Sequence, residues 1–95
     1  MPKTDVAYSL LKFLYKNYKD EIILKYKLTE EEQNSIITKD QTYDILKLMD
    51  MIALKRGAIV SGGEIDYEKV ANLILNDFRT GKIGRITLEQ ANGNK

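Results

Sequence analysis

Two short runs of this 95-residue sequence carry the side chains best suited to engage a ligand. The first is Lys55-Arg56-Gly57. The second, Arg79-Thr80-Gly81-Lys82-Ile83-Gly84-Arg85, holds three cations and no acid. A guanidinium offers a planar fork to a phosphate and an ammonium offers a point charge. The glycines beside them let backbone approach a ligand closely. A plainer reading competes. Cations near a helix C-terminus are stabilised by the helix dipole, so Lys55, Arg56 and Arg79 can serve as caps. Spacing alone leaves capping and phosphate contact equally open. Lys82 and Arg85 lie beyond the predicted helix and fit the capping reading less well.

Other constellations point away from chemistry. Gly62-Gly63 could form an anion nest, but Glu64 and Ile65 follow where a phosphate-binding loop needs Lys and Ser or Thr. Glu64 and Asp66 would also repel a phosphate, so a tight helix–helix connection with positive φ is the better reading. Glu30, Glu31 and Glu32 fan out around a helix rather than converge on a cation, which makes them a solvated first turn. The sequence has no His and no Cys. It therefore lacks the commonest general base, the commonest zinc ligand and any disulfide. We expect no catalytic residue, no metal site and no cofactor, and a cytoplasmic domain that works by contact.

Charge is unevenly spread. The net charge is +1 and the pI about 7.9, below the range of a free-standing nucleic-acid binder. Residues 1–27 carry a net +3, residues 28–54 a net −4 and residues 55–95 a net +2. A basic surface must therefore be assembled from the two flanks. No apolar run is long enough to span a membrane.

The elements that must position these groups read as helices. Apolar periodicity runs through most of the chain and the only proline is Pro2, which predicts an all-α bundle of about four helices with an irregular C-terminal tail. The first helix is expected from Asp5 to Tyr18, capped by Thr4. Val6, Ala7, Leu10, Leu11, Phe13 and Leu14 give it a broad apolar arc, so it should be the centre of the bundle. A short helix is expected over Glu21 to Tyr26 behind Asp20. Thr29 with Glu32 and Thr38 with Gln41 both fit a capping box. The second is taken to start a long helix from Lys39 to Arg56, with Ile45, Leu46, Leu48, Met49, Ile52 and Ala53 inward and Met51 and Leu54 outward. Gly57 is the expected left-handed stop. The last helix follows Asp66 and ends near Thr80, with Gly81 beyond it. Residues 82–89 should lie back on the bundle, residues 90–95 form a flexible tail, and no internal repeat is evident.

Lys55-Arg56-Gly57, Gly62-Gly63-Glu64-Ile65-Asp66 and above all Asn76 to Glu89 resemble the C-terminal helical domain of the bacterial ribosome biogenesis GTPase A family. Asp5-Val6-Ala7 and Leu10-Leu11 look like the start of that domain, and the resemblance extends over about Thr4 to Glu89. It implies a domain that helps a circularly permuted GTPase engage ribosomal RNA late in large-subunit assembly. It also implies phosphate-backbone contacts at Lys55, Arg56, Arg79, Lys82 and Arg85, with Lys12 and Lys16 as supplementary candidates. Gly57, Gly62, Gly63, Gly81 and Gly84 would shape the loops that present them. The GTP-binding signatures are absent from this sequence, so GTP and magnesium belong to a missing half. Met1-Pro2-Lys3 reads as a linker or the start of an excised domain. Large-subunit rRNA, the GTPase half and ribosomal proteins are the expected partners, with no membrane. An alternative is a protein-interaction module using Met51, Leu54 and the tail.

Overall fold

A computed structural model describes residues 2–81. Five helices follow one another: α1 (Lys3–Asn17), α2 (Lys19–Tyr26), α3 (Glu30–Ser35), α4 (Ile45–Arg56) and α5 (Tyr67–Arg79). The all-α bundle expected from periodicity is borne out, and no strand forms among the described residues.

Helix α1 packs against α5, α2 and α4, most extensively against α5. Ala7, Leu11 and Leu14 are fully buried and Tyr15 nearly so, which places α1 at the centre as its wide apolar arc predicts. The arc is narrower than the sequence suggests. Leu10 is only partly buried and Val6 is 38% exposed. The helix also begins earlier, at Lys3. The Pro2 carbonyl accepts the Asp5 and Val6 N–H groups, so Thr4 falls within the first turn and caps nothing. Asp20 likewise lies inside the first turn of α2 rather than ahead of it.

Of the two capping boxes, only the first starts a helix. The Thr29 hydroxyl accepts from Glu32 N–H and the Glu32 carboxylate accepts from Thr29 N–H, at 3.0 and 2.9 Å, heading the short α3. Thr38 instead turns its hydroxyl to Thr42, at 2.7 Å. Its backbone N–H donates to the Thr42 carbonyl. That closes a small loop, and the long helix starts at Ile45 rather than Lys39. Leu46, expected inward, is 49% exposed, and Met51, expected outward, is half-buried against the core.

Two loops are built alike. Over residues 36–44, Asp44 N–H donates to the Ile36 carbonyl, Ile37 bridges Tyr43, and Gln41 N–H donates to the Thr38 carbonyl. Over residues 58–66, Asp66 N–H donates to Ala58, Ile59 bridges Ile65, and Gly63 N–H donates to Val60. Each loop ends in an aspartate that caps the next helix: Asp44 accepts from Lys47 N–H and Asp66 from Lys69 N–H, both at 3.1 Å. The chain thus holds a loop-and-helix repeat with a 22-residue offset. The sequence hides it, because little more than Ile37/Ile59, Asp44/Asp66 and Lys47/Lys69 is shared.

Helices α2 and α4 also end alike. Ile23 O accepts the N–H of Lys27 and of Leu28, and Ala53 O accepts the N–H of Gly57 and of Ala58. The closing residue is left-handed in both: Lys27 at φ 55° and Gly57 at φ 73°. Leu28 and Ala58 then plug the core. Gly57 does what the sequence requires of it. Lys27 adopts the same conformation with a Cβ in the way.

Candidate nucleic-acid interface

The C-terminal ends of α2 and α4 meet at one cleft. It is open, measures about 400 Å³, and is lined by Lys25, Tyr26, Lys27, Lys55 and Arg56. Four of these five are cations from two separate helices, and no carboxylate lines the cleft.

Two acids outside the lining pair with the α4 cations. The Lys55 ammonium sits 2.9 Å from the Glu32 carboxylate and donates to the Lys27 carbonyl at 3.3 Å, which fastens α4 to α3 and to the end of α2. The Arg56 guanidinium lies 3.5 Å from Asp77 on α5 and 5.9 Å from the centre of the Tyr26 ring. Asp77 is 2% exposed. Its carboxylate also accepts the Tyr26 hydroxyl at 2.9 Å. Burial, followed by the nearness of the Asp77 carboxylate, pushes the Tyr26 phenol far above its ordinary range; Arg56 opposes this. The phenol therefore stays protonated and donates. A buried acid is tolerable because it has both a hydrogen-bond donor and a counter-charge.

The other sequence-predicted residues lie elsewhere. Arg79 is exposed at the end of α5 and borders a shallow depression of about 380 Å³ with Lys69, Asn72, Leu73 and Asn76. Lys12 and Lys16 line a third cleft of about 440 Å³ with Tyr8, Gln41, Thr42, Tyr43 and Ile45. Lys82, Gly84 and Arg85, and the tail from residue 82 onward, lie outside the described residues. Gly62, Gly63 and Gly81 all have positive φ. Gly62-Gly63 forms the tight turn of the second loop.

Sequence reasoning found Lys55 and Arg56 but missed Lys25, Lys27 and Asp77. One signal for Lys27 was present: α2 ends in Lys25-Tyr26-Lys27 with no glycine to close it. A signal for Asp77 was its place on the inward face of the last helix, between Ile74 and Phe78. No His, Cys, Asp or Glu cluster suited to a metal ion occurs among the described residues, nor any helix long and apolar enough to cross a membrane.

Fold and site together define a small helical domain that presents a positively charged cleft. No family model matches the chain. Individual proteins do. The chain is 36% identical over 85 residues to the ribosome biogenesis GTPase A of Bacillus cereus, covering 90% of this chain and 25% of that protein. It is 37% identical over 86 residues to the same-named protein of Bacillus pumilus, covering 90% of this chain and 27% of that protein. A 40-residue stretch, 42% of this chain, is 45% identical to nucleolar GTP-binding protein 2 of Neurospora crassa, of which it is 6%. The resemblance to the ribosome biogenesis GTPase A family read from the sequence is borne out: the chain is homologous to a segment of those proteins and spans about a quarter of their length.

Proposed function

We propose that this chain is the rRNA-docking helical domain of a ribosome-assembly GTPase, acting in late maturation of the large ribosomal subunit. The observation that carries the reading is the convergence of Lys25, Lys27, Lys55 and Arg56 on one cleft. A near-neutral net charge conceals this local positive potential, which suits an RNA backbone. The ribosome-biogenesis names of the relatives supply the class of RNA. GTP binding and hydrolysis belong to a part of the parent protein that this sequence does not include, because it lacks the phosphate-cradling loop and its lysine. The GTPase half and ribosomal proteins are the further partners of the reading.

A second reading has an observation behind it. Leu24 and Leu54 are 77% and 64% exposed, and apolar side chains held out in water suit a protein partner such as the GTPase half. Salt separates the two. Binding through phosphates weakens steeply with salt, by up to about 0.9 in the slope of log affinity against log salt per contact on a duplex. An apolar interface does not. The test is a titration of this chain against large-subunit rRNA transcribed in vitro, at two salt concentrations. Tight binding with a steep slope is expected. No binding to RNA at low salt, together with docking to the GTPase half, would hand the function to the second reading.

A further inference from the structure

We propose that the cleft between the ends of α2 and α4 seats a phosphodiester group of the RNA strand, with Asp77 and Tyr26 as positioning residues that hold the Arg56 fork in place. The inference rests on the rRNA-docking reading. It adds a single seat for one phosphodiester and the Tyr26–Asp77 network that positions Arg56 there.

The helix dipole accounts for cations in the last turns of α2 and α4, so Lys25, Lys55 and Arg56 taken singly could be caps. At Lys27 the same attraction must be set against backbone strain. This residue closes α2 in the left-handed conformation, at φ 55° and ψ 49°. The matching end of α4 uses Gly57. A side chain at such a position is disfavoured relative to glycine. Backbone strain of this kind persists where the surroundings enforce it and gathers at ligand sites. Here the residue held in that conformation lines the cleft. Glycine would reproduce the turn without strain but would not supply an ammonium.

Arg56 shows the complementary feature. Its contact with Asp77 runs through one terminal nitrogen, and Asp77 is the only carboxylate it pairs with among the described residues. A guanidinium has five N–H donors. The Asp77 contact and the Tyr26 ring restrict the guanidinium and leave donors for a second anion. Asp77 is in turn held by the Tyr26 hydroxyl, across 51 residues of sequence. The ammonium groups of Lys25 and Lys27 add point charges beside the fork. That combination matches a phosphodiester, whose two non-bridging oxygens share one negative charge and can receive a fork.

The test measures affinity for large-subunit rRNA, the salt slope and the thermal midpoint for wild type, Lys27→Gly, Lys25→Ala and Asp77→Asn. Lys27→Gly should raise the midpoint while affinity falls about tenfold, the effect of losing one charged hydrogen bond. Its salt slope should become shallower. Asp77→Asn removes a negative charge, so electrostatics alone would strengthen RNA binding; a lost position for Arg56 weakens it. Weaker binding by Asp77→Asn, absent when Arg56→Ala is already present, supports the inference. Should Asp77→Asn fail to fold, the two lysine variants decide. Wild-type affinity and slope in Lys27→Gly and Lys25→Ala, with wild type itself binding in a salt-dependent way, would overturn the phosphodiester seat and leave the docking reading standing. Absence of salt-dependent binding by wild type would remove both.

Discussion

Gln41 and Gly63 hold the same corner of two loops built alike, and both have positive φ, 66° and 85°. Each donates its N–H to the carbonyl three residues back, Thr38 in one loop and Val60 in the other. The second loop satisfies this geometry with the residue suited to it. The first does so with a side chain that strains there.

Gln41→Gly should therefore raise stability, by up to about 1 kcal/mol, because relief of the left-handed strain outweighs the extra entropy of glycine in the unfolded chain. Denaturant unfolding of the two proteins checks this. A fall in stability would mean that the Gln41 side chain makes an interaction worth more than the strain.

Gly57→Val should do the opposite. A Cβ at Gly57 would meet nothing within 4 Å, so the loss expected comes from the backbone rather than from a Cβ clash. At φ 73° a β-branched residue is strained, and a loss of more than about 1 kcal/mol is expected. An unchanged thermal midpoint would show that the end of α4 relaxes freely to another shape.

Leu14→Ala should cost about 2–5 kcal/mol, as fully buried leucines do. Leu10→Ala should cost clearly less, because Leu10 is only partly buried. The apolar arc of the sequence treats the two alike, so equal losses would place both in the core and contradict the packing of α1.

Glu32 supplies a pH dependence. Its carboxyl is held below its ordinary value of 4.5, first by the Thr29 N–H and then by Lys55. A carboxyl with a lowered folded pKa adds stability above its unfolded value, and that stability is lost as the pH falls through the folded one. Glu32→Gln can keep the bond to Thr29 N–H but loses the pair with Lys55. The variant should be less stable than wild type at neutral pH, and the gap should close as the pH drops below 4.5. A gap constant across that range would detach the effect from the charge.

The features legible in the sequence are those decided within one helical turn. Thr29 with Glu32, Asp66 with Lys69 and the Gly57 stop are all local, and each stands as expected. The pattern at Thr38 and Gln41 is equally good as a string. It fails because Thr38 has a competing partner in Thr42, close by across the loop. The helical wheel of the expected long helix, now α4, fails at Leu46 and Met51 for a related reason: once the helix starts at Ile45, tertiary packing chooses the buried arc.

The cleft itself was half legible. Lys55 and Arg56 stand out as adjacent cations before a glycine. Lys25 and Lys27 belong to a helix 28 or more residues earlier, and only the packing of α2 beside the end of α4 brings them together. Asp77 is hidden differently. On a wheel it looks like a polar intruder on the core face of α5, and its meaning depends on Tyr26 and Arg56, which sit on two other helices.

The extensive packing of α1 on α5 bears on how the chain is made. Among the described helices α1 is made before the others, and its buried side has no complete cover until the residues of α5 have followed. The Tyr26–Asp77 bond cannot form before then either. Local helices and loops form quickly as the chain lengthens, but contacts between distant segments wait on the slower event. Folding of the described residues is thus gated by α5. A nascent chain halted before residue 67 would expose the apolar side of α1, a surface on which chaperones act and partly made chains aggregate.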